Sequence, residues 1–138
     1  MNRTVAHWMT TDLRHARTDD PLFRGLELMA EQGIRHVLVM DGDALRGIVS
    51  NRDVIRATAK HPEGRLDLHG CTLGEVMTPM PLYTVTPETR LCEAAGRMHQ
   101  HRVSALPVLE GETVAGLITT DDVLAWASLA ESHGRPDC

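Results

Sequence analysis

Two short groups of residues have the types and spacing needed to bind a phosphorylated sugar. They are Ser50-x-x-Asp53 and Thr119-x-x-Asp122, and each follows a short apolar run. A hydroxyl followed three positions later by an acid is typical of a helix start, where both side chains cap free backbone N–H groups. The same geometry could hold a phosphate on those N–H groups, with the carboxylate accepting hydrogen bonds from ribose hydroxyls. The capping and binding interpretations are compatible.

Both groups belong to a longer internal repeat. Gly47 and Gly116, like both groups above, match at a shift of 69 positions. The dipeptides Met9-Thr10 and Met77-Thr78 match at a shift of 68. The chain is therefore a tandem repeat, and its function is expected to lie between the two copies.

Each copy is predicted to contain a strand, a helix, two strands joined by a tight turn, and a second helix. Thr18 and Thr86, each in a polar turn that contains proline, are predicted to begin the first helix of their copy. Asp41-Gly42 predicts the bend of the first hairpin. A further strand is expected around Leu82 to Val85. The fold class is thus α/β (α+β), with two pseudo-symmetric β-α-β-β-α repeats.

The predicted boundaries follow the repeat. The first copy is expected at 1–59 and the second at 72–131, with a linker at 60–71 and a flexible tail at 132–138. The linker is polar and contains both Pro62 and Gly64, which interrupt regular structure. A chain of 138 residues normally forms one domain, so the copies are expected to share one core.

The amino-acid composition argues against several classes of protein. The chain is 42% hydrophobic without a run long enough to span a bilayer. Its start lacks the apolar core of a secretion signal, and its three cysteines have no paired spacing, so a reducing cytoplasm is expected. A net charge of −5, a single lysine and 3% aromatic residues argue against a nucleic-acid surface. The sequence has neither a nucleophile with a partnered base nor metal-ligand spacing, so we expect no catalytic residues, no metal and no enzyme activity.

The apolar stretch Val103 to Val108 contains a proline. Pro107 cannot donate to a sheet, so this strand should lie at an edge or be interrupted there. Backbone groups left free near the small residue Ala105 could contact a flat purine. A plain edge strand without a ligand is the alternative.

These residues closely resemble a cystathionine-beta-synthase (CBS) domain. In the second copy the resemblance rests on Met77-Thr78, His101 to Val108 and Gly116 to Val123. In the first it rests on Met9-Thr10, Ile34 to Val39 and Gly47 to Val54. Two such domains in tandem resemble a Bateman module, and the resemblance covers residues 5 to 130.

The resemblance implies a stand-alone regulatory module. Such modules bind an adenine compound such as AMP, ADP, ATP or S-adenosylmethionine in the cleft between repeats, which pack through their small sheets, and transmit a conformational change. It also implies a homodimer that acts on an unidentified regulated protein, with no required cofactor and no membrane contact. Two alternatives stay open: a ligand-free dimerisation or interaction module, and a module for another ligand class such as a metal ion or nucleic acid.

The resemblance also implies particular site residues. In the second copy they are Thr78, Tyr83, Val103, Ser104, Ala105, Leu106, Pro107, Thr119 and Asp122. A weaker site in the first copy has Thr10, Ile34, Arg35, His36, Val37, Ser50, Arg52 and Asp53. The candidates for contacting phosphate are His101 and Arg102.

The two sites are not expected to be equal. His36 stands where the second copy has Ala105, and its bulk could fill a base pocket. Arg52 beside Asp53 could attract phosphate, whereas Asp121 at the equivalent place would repel it. We therefore expect at most one good site in each chain, with the base favouring the second copy.

Overall fold

A computed structural model describes residues 3–132, which form two compact units. The amino unit comprises 14–82, and the carboxyl unit comprises 3–13 together with 83–132. Each unit therefore contains a segment from each sequence copy. The predicted tail lies outside the described residues except for Ser132, which ends the last helix.

The elements follow the chain in an order that repeats once. They are α1 (Val5–Trp8), β1 (His15–Ala16), α2 (Leu22–Gln32), β2 (His36–Asp41), β3 (Ala44–Ser50), α3 (Asn51–Lys60), α4 (Leu73–Val76), β4 (Thr78–Pro79), α5 (Leu91–His101), β5 (Ala105–Glu110), β6 (Thr113–Thr119) and α6 (Thr120–Ser132). The start of α5 is 69 positions after that of α2, and the hairpin strands keep the same shift. The mixed α/β fold and the doubled pattern predicted from the sequence are confirmed.

The amino unit contains a sheet of four strands in the order β1-β2-β3-β4. Strand β1 pairs parallel to β2, and the other neighbours are antiparallel. The carboxyl unit has the β5-β6 hairpin, with single-residue bridges from Val85 to Val108 and from Thr10 to Leu117. The strand expected around Leu82 to Val85 is thus reduced to one bridge, held by two backbone hydrogen bonds of Val85.

The turn of each hairpin contains a glycine whose backbone conformation other residues rarely adopt. Gly42 and Gly111 have φ angles of 61° and 62°, in the left-handed region that glycine enters without steric cost. The turn of the first hairpin lies where Asp41-Gly42 predicted it. The strands on either side run antiparallel, and the register of each hairpin shifts once, after Val39 in the first and after Val108 in the second.

Helices α2 and α5 end in the same left-handed conformation with different residues. Gly33 follows α2 with φ 63°, while Arg102 follows α5 with φ 55°. A side chain with a Cβ is disfavoured in this region. The arginine at this end of α5 is therefore held in a conformation that glycine adopts freely at the end of α2.

The predicted starts of α2 and α5 are wrong. The helices begin at Leu22 and Leu91, after Pro21 and Arg90, and neither start has a side-chain cap. The N–H of Leu22 donates to the carbonyl of Cys71 over 2.7 Å, and that of Leu91 donates to Arg3 over 2.8 Å. Distant backbone carbonyls thus replace the hydroxyl caps that the sequence indicated.

The expected single core is divided between the units. In the amino unit, Leu22, Leu28, Val37 and Val49 are buried together with Leu73 from the second copy. The equivalent cluster of the carboxyl unit contains Val5 from the first copy, among residues of α5, β5, β6 and α6. Leu73 and Val5 are both fully buried, so each core depends on a residue that the other copy supplies.

The Met-Thr segments lie against the repeated glycines. A Cβ added to Gly47 would stand 2.5 Å from the carbonyl oxygen of Thr78, and one added to Gly116 would stand 2.9 Å from that of Thr10. Such distances are shorter than ordinary contacts. Glycine at these two positions is thus needed for the backbones to approach.

Candidate functional site

The first acid lies at the start of α3, as the spacing predicted. Ser50 is the N-cap, and its hydroxyl accepts a hydrogen bond from the N–H of Asp53 over 3.2 Å. Oδ2 of Asp53 in turn accepts from the Ser50 N–H over 2.8 Å and from its hydroxyl over 3.1 Å. The capping interpretation is confirmed here, because both halves of the reciprocal cap are present.

The second oxygen of Asp53 binds two further donors. Thr78 donates its hydroxyl to Oδ1 over 2.9 Å, and Nη1 of Arg56 lies 3.2 Å from the same oxygen. Asp53 is only 6% exposed, although it is charged. These contacts supply the hydrogen bonds and the opposite charge that a buried carboxylate needs. Ser50, Asp53, Arg56 and Thr78 are called the Asp53 site below.

The acid of the second copy is bound more sparsely. Oδ2 of Asp122 accepts from the Thr119 N–H over 2.8 Å and from its hydroxyl over 3.1 Å. Among residues 3–132, these are the donors that contact this carboxylate. Asp122 is half-buried, unlike Asp53. Thr119, Asp122 and the neighbouring strand residues Ala105 and Pro107 are called the Asp122 site below.

The structure pairs the two Met-Thr threonines in the opposite way to the predicted grouping. Thr78 was grouped with the second copy, but it pairs with Ile48 of β3 and lies in the amino unit. Thr10 was grouped with the first copy, but its N–H donates to Leu117 of β6 over 2.9 Å, in the carboxyl unit. The reason is that the backbone of each Met-Thr segment pairs with the outer strand of the hairpin from the other copy.

The remaining predicted residues of the first copy stay together in the amino unit. Ile34 and Arg35 precede β2, and His36 and Val37 begin it. Half-buried His36 is paired with Ser50 in the β2–β3 register. The carbonyl of Arg35 accepts the N–H of Asn51 at the start of α3 over 3.1 Å. Arg52 is exposed on the first turn of that helix. The predicted strand residues therefore lie beside the capped acid.

In the carboxyl unit the strand Ala105–Glu110 is arranged in the same way. Ala105 is paired with Thr119, and the Ser104 carbonyl accepts the N–H of Thr120 over 3.0 Å. Pro107 is paired with Leu117 of β6, and its carbonyl is directed to the other side of β5, where it accepts the N–H of Val85 over 3.1 Å. The prediction that Pro107 stands at a sheet edge is confirmed. The alternation of a strand directs the Ala105 N–H and C=O toward the same outer edge.

The phosphate candidates lie at the carboxyl end of α5. The rings of Tyr83 and His101 stack in parallel, with centroids 3.7 Å apart and an interplanar angle of 9°. Tyr83 is 54% exposed. Arg102 follows directly in its left-handed conformation and is exposed. The stack combines a predicted pocket residue with a phosphate candidate.

An apolar cavity of about 290 Å³ lies between α5 and α6 in the same unit. It is lined by Ala95, Met98, His99, Val103, Thr120, Val123 and Leu124. Val103 is the predicted site residue among them. Such a lining suits an apolar side chain better than a phosphate.

Arg56 was missed at the sequence level, although a signal for it exists. An arginine three positions after an acid on a helix lies on the same face and can form an ion pair. Aligning the copies at the shift of 69 places Ala125 opposite Arg56. The two acid sites therefore differ at a position that the repeat comparison could have identified.

One known protein family matches this chain once in each of its two sequence copies. A family model of the CBS domain matches residues 5–60 and 73–128. An uncharacterised 33.4 kDa protein encoded in a ribosomal RNA operon of Thermofilum pendens is 32% identical over 136 residues, which cover 98% of this chain and 43% of that protein. The chain spans between 23% and 52% of the length of the curated relatives first matched.

Solved structures show the same fold. A crystal structure of a CBS domain protein has a TM-score of 0.83 at 26% identity, covering 92% of this chain and 99% of that chain. The structure of CBSX2 in complex with AMP has a TM-score of 0.77 at 24% identity, covering 93% and 98%. No helix in the described part of the chain is both long and apolar enough to cross a membrane.

Proposed function

Because the chain belongs to the CBS domain family, its two copies confirming the resemblance seen in the sequence, we propose that it is a regulatory ligand-sensing module. The proposed ligand is an adenine nucleotide (AMP, ADP or ATP) or S-adenosylmethionine. Binding would shift the populations of two conformations and so act on a regulated protein partner. A ligand can shift such an equilibrium only through its differential affinity for the two states.

The observation that carries the proposal is the half-open carboxylate of Asp122 at the start of α6. Its Oδ2 accepts two hydrogen bonds from Thr119. These bonds fix the orientation of the carboxylate, and no donor among residues 3–132 contacts Oδ1. A carboxylate oxygen in this state can accept hydrogen bonds from the two hydroxyls of a ribose. Asp121 in the first turn of α6 would repel a phosphate, so the contact proposed for Asp122 is with the ribose and not with the phosphate.

The outer edge of β5 supplies the complementary contacts for the base. The backbone N–H and C=O of Ala105 can form hydrogen bonds with the edge of a purine, and the small side chain leaves room for a flat ring. Pro107 carries no N–H, so this edge does not continue as a regular ladder. Tyr83, Val103 and Ser104 complete the proposed second-copy site, and His101 and Arg102 are its proposed phosphate contacts. Leu106, which was predicted with them, is fully buried in the core of this unit and is not part of the proposed site.

Solved proteins of the fold are consistent with this ligand class. CBSX2 was crystallised with AMP, and at 24% identity that likeness is one of fold. The choice of an adenine compound, the domain boundaries, the absence of enzyme activity and the cytoplasmic location are therefore our proposals for this chain. The weaker site proposed in the first copy consists of Ile34 to Val37, Ser50, Arg52 and Asp53, with Thr78, whose hydroxyl contacts Asp53, in place of Thr10.

A thermal-shift panel tests the proposal. AMP, ADP, ATP, NADH and S-adenosylmethionine are each added at millimolar concentration to the whole chain. A ligand at about 100 times its dissociation constant adds about 2.7 kcal/mol to the unfolding free energy. We expect one adenine compound to raise the melting temperature and Asp122→Ala to remove most of that rise. Failure of all five compounds to move the melting temperature would refute the sensor proposal.

The second candidate function is a ligand-free dimerisation module. It is favoured by exposed apolar side chains at equivalent positions of α3 and α6, where Ile55 is 66% exposed and Leu124 is 64% exposed. Leu124 also lines the apolar cavity described above. Isolated exposed leucines are ordinary, but an apolar residue beside an apolar groove marks a surface that a partner can cover. A homodimer with no response to the five compounds would support this function.

A further inference from the structure

The two acid sites differ most in the residue one helical turn beyond the acid. In the first copy this residue is Arg56, whose Nη1 lies 3.2 Å from Oδ1 of Asp53. Arg56 is 60% exposed while the Asp53 side chain is 6% exposed. The guanidinium thus covers the solvent side of a carboxylate that is otherwise buried.

The hydrogen bonds on Asp53 leave little room for another donor. An ionised carboxylate has about four acceptor positions, two on each oxygen. Ser50 contributes two donors to Oδ2, and Thr78 and Arg56 contribute one each to Oδ1. A sugar hydroxyl could bind Asp53 only by displacing one of them, and the charged guanidinium is the strongest competitor because its hydrogen bond is charge-assisted.

Asp122 lacks this competitor. Ala125 occupies the position equivalent to Arg56, and it is exposed. An alanine side chain has no donor, so within the described residues only Thr119 contacts the carboxylate, through Oδ2. Within residues 3–132 no donor contacts Oδ1, so its acceptor positions are available to the hydroxyl pair of a ligand.

We propose that Arg56 is a built-in competitor that closes the Asp53 site to a sugar diol, and that Ala125 at the equivalent position leaves the Asp122 site open. The residue at position 56 or 125 then determines which copy accepts a nucleoside, and one chain binds one molecule. This inference rests on the proposed function, because it concerns the same pair of acids.

The test is the binding stoichiometry of reciprocal variants of the whole chain. AMP, ATP and S-adenosylmethionine are the probes, measured separately by equilibrium dialysis. We expect one molecule per wild-type chain and two per Arg56→Ala chain. Ala125→Arg should weaken binding by at least about tenfold, since it places a charged donor on Asp122. The variant that combines Arg56→Ala with Ala125→Arg should again bind one molecule, now at the Asp53 site. Lys60→Ala, which removes a positive charge from the exposed end of α3, is the charge-matched control and should bind like the wild type.

His36 offers a different reason for a closed first site, so the experiment is repeated in a His36→Ala background. A second bound molecule that appears only with Arg56→Ala, in either background, supports the inference. The inference is overturned if His36→Ala alone yields a second bound molecule. It is also overturned if Arg56→Ala yields no second molecule in either background. Circular dichroism spectra of each variant confirm that the compared chains are folded.

The outcome also separates this inference from the proposed function. If the wild type binds none of the probes, the sensor proposal fails for those ligands. Arg56→Ala is then decisive on its own: binding gained by this variant supports the competitor role, and continued lack of binding overturns it. If the wild type binds one molecule and Ala125→Arg leaves the affinity unchanged, the sensor proposal stands and the competitor role is rejected.

Discussion

The hydroxyl of Thr78 donates a 2.9 Å hydrogen bond to the carboxylate of Asp53, a residue 25 positions earlier in the chain and in the other sequence copy. Thr78 is itself exposed, whereas Asp53 is buried. The bond therefore joins a strand added from the second copy to the helix start of the first. It makes the buried acid depend on a residue that no local pattern connects with it.

Replacing Thr78 by valine should destabilise the chain. The change removes one donor from a buried carboxylate, which costs about 1 to 3 kcal/mol. The unfolding free energy from urea titration measures the loss. Thr10→Val is the matched control, since within residues 3–132 the Thr10 hydroxyl makes no equivalent bond to Asp122, and it should change the free energy by less than about 0.5 kcal/mol. Equal losses in the two variants would contradict the assigned role of Thr78.

Alanine at Gly47 or Gly116 should be destabilising. The added Cβ would stand 2.5 Å or 2.9 Å from a backbone oxygen, and relieving such overpacking costs about 1 to 3 kcal/mol. Gly96→Ala serves as the control, because nothing lies within 4 Å of the added Cβ. On the exposed face of α5 that change should instead stabilise by about 1 kcal/mol. Thermal unfolding of the three variants distinguishes the two effects.

The equivalent ends of α2 and α5 predict opposite effects of glycine. Arg102→Gly should raise the unfolding free energy by about 1 kcal/mol, because it relieves a left-handed backbone conformation at φ 55°. Gly33→Ala should lower it by a similar amount, because it creates the same strain. Both are measured without ligand, so that a role of Arg102 in binding does not enter. A loss of stability in Arg102→Gly would show that contacts of its side chain outweigh the strain.

The contacts of Asp41 predict a pH-dependent contribution to stability. Removal of solvent raises the pKa of this carboxyl, but hydrogen bonds from Thr18 and the charge of Arg46 outweigh that effect and lower the pKa from 3.8. The Thr18 hydroxyl lies 3.0 Å from both carboxylate oxygens. A lowered folded-state pKa means that the stabilisation is fully present above 3.8 and is lost as the pH falls through the folded value.

Thr18→Val should therefore lower the urea midpoint at pH 7, and the gap to the wild type should narrow as the pH falls below 3.8. The midpoint is measured at a series of pH values. Thr86→Val is the control, because Thr86 contacts the hydroxyl of Thr89 and not a carboxylate, so its gap should not change with pH. A Thr18→Val gap that stays constant on acidification would contradict the assignment.

The proposed homodimer predicts that charge on α6 disrupts association. Leu124 is exposed beside the apolar cavity, so a glutamate there would bury an unpaired charge in a dimer interface. Light scattering after size exclusion should show a shift from dimer to monomer for Leu124→Glu. Phe23→Glu makes the same kind of change at an exposed position of α2 and should leave the mass unchanged. A monomeric wild type would reject the dimer outright.

The sequence predicted those features that depend on neighbouring residues. The Ser50–Asp53 cap, the glycine bends and the edge position of Pro107 each follow from a few adjacent side chains. The pairing of the Met-Thr segments could not be predicted in this way, because the two segments have the same two residues and their local sequence does not indicate which hairpin each one joins. The starts of α2 and α5 were wrong for a related reason, since the carbonyls that replace their caps come from Cys71 and Arg3, far along the chain.

The exchange of segments has a consequence for how the duplicated halves can evolve. The core of the amino unit contains Leu73, and that of the carboxyl unit contains Val5. A half-chain expressed alone would lack the piece that fills its own core, and two identical halves would have to trade segments to become stable. Neither half can therefore be lost, shortened or diverge freely at these segments. A change to the segment that one copy exchanges therefore also alters the stability of the unit built mainly from the other copy.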